Sequence, residues 1–219
     1  DRLNRQLEAK DLLIREGAVV DASVVESQRR PRKVIDVMAE DRAEDDTEDE
    51  QPEVKVSYSD DEEAAWLRKG NRSYYGYKIH MATDSRNGFI LCGHVTPANR
   101  ADTSEFVRLV DGAALAPGAC VYGDKGYCSG ANRDALLERE LEDGTMDKTP
   151  RGGRLTEIEK ARNRAISSVR QVVERGFGTL KRGYDFFRSR YVGQNKVEGE
   201  FYIVSMAFNL KKAVRLAGV

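Results

Sequence analysis

The sequence is poor in cysteine and has no long apolar segment. Its three cysteines, Cys92, Cys120 and Cys128, are an odd number without close spacing. That pattern argues against a disulfide framework and favours a reducing compartment. The sequence contains no run of about 18 apolar residues and no signal-peptide pattern. The composition therefore indicates neither a membrane span nor a disulfide-stabilised secreted domain.

Net charge is also nearly absent, but charge is strongly segregated along the chain. The sequence has 36 Lys and Arg against 37 Asp and Glu. Residues 40–63 hold thirteen acids and two bases, whereas residues 148–190 hold twelve bases and four acids. Such asymmetry predicts a nucleic-acid-binding surface together with an acidic tether. We expect Ala39–Val54 to be a disordered loop, because it carries too little apolar surface to order itself.

A zinc-binding module is one alternative class of function. Its candidate ligands would be His80, Cys92, His94, Cys120 and Cys128. No pair among them has Cys-x2-Cys spacing, and Cys92 and His94 would lie on one face of a single strand. We therefore do not favour zinc, which would require stoichiometric zinc in the purified protein.

Hydrophobic periodicity predicts an alternation of strands and helices. A buried strand is expected at Gly17–Val25, and two further strands are expected on either side of a hairpin turn at Asn87-Gly88. The remaining expected elements are helices at 103–114, 131–140, 156–182 and 197–216, with short strands at 120–122 and near 141–146. This order is typical of an α/β protein.

One acid stands out in the long helix, within the segment "SSVRQVVERGFGTLKRGYDF". At about 100° per residue, Arg170, Glu174 and Lys181 share one narrow face of that helix, beside its apolar stripe. Glu174 could simply pair with Arg170 at i,i+4 spacing. Alternatively, Glu174 holds a cation while the surrounding bases hold a polyanion. The spacing alone leaves both interpretations open.

Two further acids accompany predicted strands. Asp21 lies inside a β-branched apolar strand, where a charge is costly unless it is paired or bound to metal; otherwise it caps a turn at the strand end. Asp124 follows Gly123 at the carboxyl end of its strand, and it either projects into a cleft or caps the next helix. Asp84 is a rival acid, but Asp commonly bonds its own backbone just before a turn, so we assign it a structural role.

The three acids Asp21, Asp124 and Glu174 converge if their strands are neighbours. Three carboxylates without a dedicated His ligand suit Mg²⁺ or Mn²⁺ better than zinc. Two such ions about 3.5–4 Å apart can activate an attacking oxygen and stabilise the leaving oxygen of a phosphodiester. Nearby Lys and Arg side chains would bind the phosphates. The pattern thus favours metal-dependent chemistry on a nucleic acid.

These residues resemble a known family, the DDE-type bacterial insertion-sequence transposases, in particular the group named for insertion sequence five. The resemblance is carried by "GAVVDASVV", "GYKIHMATD", "VYGDKGY" and Arg170-x3-Glu174-x6-Lys181. The family's last motif is Tyr-x2-Arg-x3-Glu-x6-Lys, and Ser167 stands here in place of its Tyr. The resemblance extends from about Leu3 to Leu216, apart from the acidic loop.

The resemblance implies an RNase H-like α/β fold with a mixed five-stranded sheet flanked by helices. Residues 1–219 would form one catalytic domain, with an acidic, flexible insertion at 27–70 after the first strand and a C-terminal helix within 192–219. It also implies that Asp21, Asp124 and Glu174 are the catalytic acids and bind two Mg²⁺ or Mn²⁺ ions. Metal-activated water would cut the end of the element, and the freed 3′-hydroxyl would then attack target DNA.

Several basic side chains are expected to contact DNA. They are Arg170, Lys181, Lys78, His80, Lys125, Arg175 and Arg182. Lys78 and His80 match a recurring Lys-x-His of the family, although a structural role is the simpler interpretation of His80. Lys211 and Lys212 suit the negative end of the last helix dipole, and we assign them no further role.

The expected partners are the element ends and target DNA, with no membrane, and the cutting of two ends is compatible with a homodimer. We expect the protein in the bacterial cytoplasm, associated with the nucleoid. The chain opens inside an expected helix without a Met, so we expect an N-terminal DNA-binding region to be missing. Two alternatives stay open: an inactive DNA-binding remnant, compatible with Ser167, and an RNase H-like nuclease that only hydrolyses DNA.

Overall fold

The computed structural model describes residues 2–31, 33–37, 54–58 and 61–218, the two short middle ranges through their backbone only. The predicted disordered loop Ala39–Val54 lies outside the described residues except for Val54, which begins a strand. Within the described ranges, no helix combines the length and apolar character needed to cross a bilayer.

Strands and helices alternate along the chain, as the periodicity predicts. In order they are α1 (Arg2–Glu8), β1 (Gly17–Glu26), β2 (Lys33–Val37), β3 (Val54–Tyr58), β4 (Ala65–Lys69), β5 (Arg72–Asp84), β6 (Ile90–Pro97), a 3-10 turn (Asp102–Glu105), α2 (Phe106–Ala113), β7 (Cys120–Gly123), α3 (Gly130–Glu138), β8 (Glu142–Thr145), α4 (Glu157–Gly183) and α5 (Gln194–Leu216).

The main sheet is mixed and has six strands. Its order is β4-β5-β1-β7-β8, and β6 also pairs with β5. Strand β1 is antiparallel to β5 and parallel to β7, and β7 is parallel to β8. The expectation of five strands was one too few, because the 13-residue β5 is long enough to pair with β4 near its start and with β6 further on.

Part of the predicted insertion 27–70 is also built of strands. Strands β2 and β3 pair with each other as a separate antiparallel ribbon, and β4 joins the main sheet. No strand was predicted in this region. The region is acidic overall, so short β-branched segments within it, such as "VKVSY", were not recognised as strands.

Helices cover both faces of the sheet and position β1 at its centre. One apolar cluster joins Val20 and Val121 to the buried side of α2, and the other joins Val19 and Val173 to α5. Helix α4 begins at a capping box, in which Thr156 and Glu159 satisfy each other's backbone N–H groups. The buried side chains of α4 are Asn163, Ile166, Arg170, Val173, Phe177 and Leu180. Burial of this stripe fixes the rotation of α4 over the sheet.

The β5–β6 hairpin depends on Asp84. Its two carboxylate oxygens accept hydrogen bonds from the backbone N–H groups of Arg86, Asn87, Gly88 and Phe89. Asp84 is completely buried, so water does not compete for the carboxylate oxygens that bind these donors. The structural role assigned to this acid agrees with the geometry.

We expect Asp84→Ala to lower the free energy of unfolding by about 2–4 kcal/mol, because it leaves several buried donors without an acceptor. Asp84→Asn retains one acceptor oxygen, and we expect a smaller loss. Urea unfolding of the two variants beside the wild type measures both effects. An Asp84→Ala variant as stable as the wild type would contradict the structural role.

Candidate active site

Strand register brings the first two acids together. Strand β1 runs parallel to β7, with Val19 opposite Tyr122. Continuing that register by two residues brings Asp21 level with Asp124, one residue beyond the end of β7. Because neighbouring strands lie about 4.8 Å apart, the two acids start from adjacent positions of the sheet.

The turn after β7 holds Asp124 in place. Its Oδ1 accepts a hydrogen bond of 2.7 Å from the N–H of Gly126. A Cβ at Gly126 would approach that same oxygen to 2.7 Å, so a larger residue at this position would displace the Asp124 carboxylate. Tyr127 anchors the turn, because it is fully buried and its ring lies 5.6 Å from that of Phe106. Asp124 is therefore both a turn residue and a neighbour of Asp21.

Helix α4 contributes the third acid, and Arg170 connects it to the first. The Nη2 atom of Arg170 lies 3.2 Å from Oδ2 of Asp21, and its Nη1 lies 3.7 Å from Oε1 of Glu174. The side chain of Arg170 is 11% exposed, whereas that of Glu174 is 54% exposed. The ordinary i,i+4 pair and the clustering of acids are therefore present together.

The electrostatics of Asp21 reflect this crowding. Burial raises the pKa of Asp21 from its ordinary value to about 6, Arg170 opposes the rise, and Asp124 and Glu174 add to it. Asp124 and Glu174 therefore lie close enough to Asp21 to disfavour its ionised form. Arg170 offsets only part of the cost of burying the Asp21 carboxylate.

Two buried polar atoms border this cluster without a hydrogen-bond partner, the hydroxyl of Tyr127 and Nε of Arg170. Among the residues the structure describes, no group of three His, Cys, Asp or Glu side chains is arranged to hold a metal ion. The guanidinium of Arg170 contacts both Asp21 and Glu174 instead. The acids are thus brought together, but they do not form a ligand cage in this conformation.

Most of the bases expected to contact DNA are accessible near these acids. Lys125, Arg175 and Arg182 are exposed, and Lys181 is half-buried. Burial lowers the pKa of Lys181, and neighbouring Lys69 lowers it further. A row of bases therefore follows α4 from the acids towards β4.

Lys78 and His80 are placed differently, inside the protein. Lys78 forms a 2.7 Å ion pair with Asp102 and donates to the carbonyl of Arg100. His80 is fully buried, and its Nε2 lies 2.9 Å from Oγ1 of Thr96. Burial lowers the pKa of His80 to about 3, which keeps the ring neutral. This geometry gives no support to the predicted DNA contacts of these two residues.

Some site residues were missed by sequence reasoning. Tyr127 borders the acids, and its only sequence signal is its place in the segment "GDKGY". Lys211 and Lys212 were explained by the helix dipole alone, yet they line a cleft with Arg86 and Arg215. The cleft is made by segments more than a hundred residues apart in sequence, so no local pattern predicts it.

Similarity to known proteins is found in a family model, in a sequence relative and in a solved structure. A family model described as "Transposase DDE domain" matches residues 14–210. The transposase for insertion sequence element IS1106 of Neisseria meningitidis serogroup B is 37% identical over 214 residues, covering 96% of this chain and 70% of that protein. The cryo-EM structure of the piggyBac transposase synaptic complex with hairpin DNA matches with a TM-score of 0.51 and 11% identity. That match covers 93% of this chain but only 48% of the other, so the likeness is one of fold over about half of that protein.

Proposed function

Since this chain belongs to the transposase DDE-domain family, we propose that it cuts the ends of an insertion sequence and joins them to target DNA in a metal-dependent reaction. The observation that carries this proposal is the position of Asp21, which lies level with Asp124 in the strand register and is linked to Glu174 by Arg170. The three acids come from β1, the end of β7 and α4, so the fold rather than local sequence assembles them.

We further infer that the fold is RNase H-like. In support, β1 lies at the centre of a mixed sheet between antiparallel β5 and parallel β7, with helices on both faces. The likeness of fold to a transposase structure supports the same assignment. Strand β4 is then an addition to the five-stranded core, contributed by the segment that follows β1.

The three carboxylates would hold Mg²⁺ or Mn²⁺, with two ions expected. The donor set fits, because these ions prefer oxygen ligands and Asp21 is a buried acid whose charge is only partly offset. Such ions, when bound, lower the pKa of water and stabilise charge on phosphodiester oxygens. Arg170 already contacts one carboxylate oxygen of Asp21 and one of Glu174, so its guanidinium would compete with an ion for those two oxygens.

The proposed reaction has two phosphoryl-transfer steps. In the first, water attacks the phosphodiester at the element end, the bond from phosphorus to the 3′-oxygen breaks, and a free 3′-hydroxyl remains. In the second, that hydroxyl attacks a phosphodiester of target DNA, so that one phosphodiester forms as another breaks. No covalent intermediate with the protein is needed in either step.

The exposed bases around the acids would bind the DNA backbone. Lys125 follows Asp124 directly, and Arg175 and Arg182 lie on the solvent side of α4. Contacts of this kind carry no base specificity and weaken as salt rises. Arg170, which is largely buried, would act by positioning Asp21 and Glu174 rather than by holding DNA. Two ends must be cut, and we propose a homodimer for that task.

We expect purified protein to cut DNA carrying the element's own ends only when Mg²⁺ or Mn²⁺ is added, and to join a pre-cut end to a target plasmid. Chelation with EDTA should abolish both products, and so should Glu174→Gln. Glu138→Gln on α3 is a matched control, because it removes an exposed acid far from the cluster in sequence.

The products separate the competing functions. Cleavage without joined products would identify a nuclease that only hydrolyses DNA. DNA binding without metal-dependent cleavage, unchanged by Glu174→Gln, would identify an inactive remnant. Either result would contradict the proposed transposition.

A further inference from the structure

A basic cleft lies on the other side of α4 from the acids. It has a volume of about 360 Å³ and is bounded by α4, α5 and the β5–β6 hairpin. Five bases line it, namely Arg86, Arg175, Lys211, Lys212 and Arg215, and Phe208 forms part of its floor. No Asp or Glu side chain is among its lining residues, so the cleft has charge of a single sign.

The five bases differ from other surface bases in their lack of ion pairs with the described side chains. Among the described side chains, none of them takes part in an ion pair, although bases elsewhere on the surface do, such as Arg139 with Asp111. Asp84 attracts Lys212, but its oxygens already accept four backbone hydrogen bonds. Five cations without an ion-pair partner among the described side chains, around one concave space, favour an anionic ligand.

Lys212 is held in place rather than free in solvent. Its ammonium lies 5.8 Å from the ring centre of Phe89 and 5.5 Å from that of Phe208. Burial lowers its pKa, the negative charge of Asp84 opposes this fall, and the positive charges of Arg175 and Arg215 add to it. A half-buried lysine between two rings and beside other cations is positioned to meet a negative group.

The cleft and the acids are on opposite sides of the same helix. At about 100° per residue, Val172 and Thr179 of the cleft lie roughly half a turn around α4 from Glu174. The exposed Arg175 and Arg182 lie on the ridge between the two sides. A helix is about 10–12 Å across, which equals the rise of about three nucleotides along one DNA strand.

We propose that this cleft binds backbone phosphates of the DNA strand that is cut at the acids, about three nucleotides from the scissile phosphate. The proposal rests on the proposed function and extends it, because it places the DNA across the ridge of α4. Lys and Arg contacts to phosphate do not read bases, so the cleft holds any sequence.

The test removes charge from the cleft without disturbing the acids. The cleft variant combines Arg86→Gln, Lys211→Gln and Arg215→Gln, and the control variant combines Arg5→Gln, Lys10→Gln and Lys196→Gln. All six side chains are exposed, and both variants lose the same net charge.

Duplex DNA affinity is measured between 50 and 200 mM salt. In the cleft variant only, we expect the slope of log affinity against log salt to fall by about 0.9 for each phosphate that is no longer neutralised. Equal slopes in the two variants would overturn the proposal.

A second measurement tests the position of the bound phosphates. Duplexes carry one uncharged methylphosphonate linkage, moved one nucleotide at a time away from the scissile phosphate. The wild type should lose affinity when the linkage is near the third nucleotide. The affinity of the cleft variant should not fall further when the linkage is at that position, because its phosphate contact is already missing. A wild type that loses no affinity at any of these positions would overturn the assignment of the cleft to the cut strand.

Cleavage by the wild type, measured in parallel, tests the proposed function separately from the phosphate-binding role of the cleft. Metal-dependent cleavage with equal slopes would overturn the cleft alone and leave the proposed function intact. Absence of cleavage would overturn the proposed function and, with it, the placement of the cleft on a cut strand. Melting temperatures of both variants equal to that of the wild type exclude misfolding as the cause of a changed slope.

Discussion

Replacing Asp124 by Asn should reduce the rate of DNA cleavage by a factor on the order of 10²–10³ or more, while DNA affinity stays equal or rises. The carboxylate lies at the end of β7, level with Asp21, where it would hold a cation against the scissile phosphate. The amide retains the shape of the side chain and the acceptor for Gly126, so the turn should survive.

The affinity part of this prediction follows from charge. A carboxylate near a phosphate repels it, and a unit pair about 4 Å apart in water interacts by about 1 kcal/mol. Removing the charge should therefore tighten binding by no more than about fivefold. Loss of both binding and cleavage would instead indicate a collapsed turn.

A matched control is available on the neighbouring helix. Asp134 is exposed on α3, so Asp134→Asn makes the same chemical change away from the acids. Cleavage is followed on DNA carrying the element ends, and binding is followed on the same DNA in EDTA. If Asp124→Asn cut DNA as fast as Asp134→Asn, the assignment of three catalytic acids would be wrong.

Much of the fold could be predicted from local sequence, because its elements are strongly patterned. Helix α4 follows its N-cap Thr156 and carries apolar side chains at helical spacing, so its position and rotation both follow from periodicity. The hairpin follows from Asn87-Gly88, where Gly88 adopts a positive φ of 71°. Strand β4 could not be predicted in this way, because it is stabilised by pairing with β5 and exposes its one tryptophan.

The sequence offered candidate residues for the site but gave no account of their contacts. Alternation along β5 separated Lys78 and His80 from the apolar face correctly, but periodicity cannot say what covers the second face. On that face Lys78 contacts Arg100 and Asp102, whereas His80 contacts Thr96 and stacks on His94 of β6. Similarly, helical spacing paired Arg170 with Glu174 and gave no sign of its contact with Asp21, 149 residues away.

Asp21→Asn should stabilise the protein at neutral pH even as it abolishes cleavage. Burial is the main reason that the pKa of Asp21 is raised from 3.8 to about 6, so its ionised form opposes folding. By linkage, a shift of this size corresponds to at most about 3 kcal/mol. Asn resembles the protonated acid, and Arg170 keeps its contact with Glu174 in the variant.

The stability difference between the wild type and Asp21→Asn should depend on pH. Because the pKa is higher in the folded protein than in the unfolded chain, the folded state binds more protons between about pH 4 and pH 6. The wild type should therefore lose stability as pH rises through this window, whereas Asp21→Asn should not. The two proteins should be equally stable below about pH 4 and should differ most above about pH 6.

Urea unfolding at intervals across this window, with Asp134→Asn as the control, measures the difference. A variant that is less stable than the wild type at neutral pH would mean that the ion pair with Arg170 outweighs the cost of burying the carboxylate. A more stable and inactive variant would mean that Asp21 is retained at the expense of folding free energy. An acid kept in a buried site against stability needs a reason in function, and a bound cation supplies one, because it would offset the charge that Arg170 leaves uncompensated.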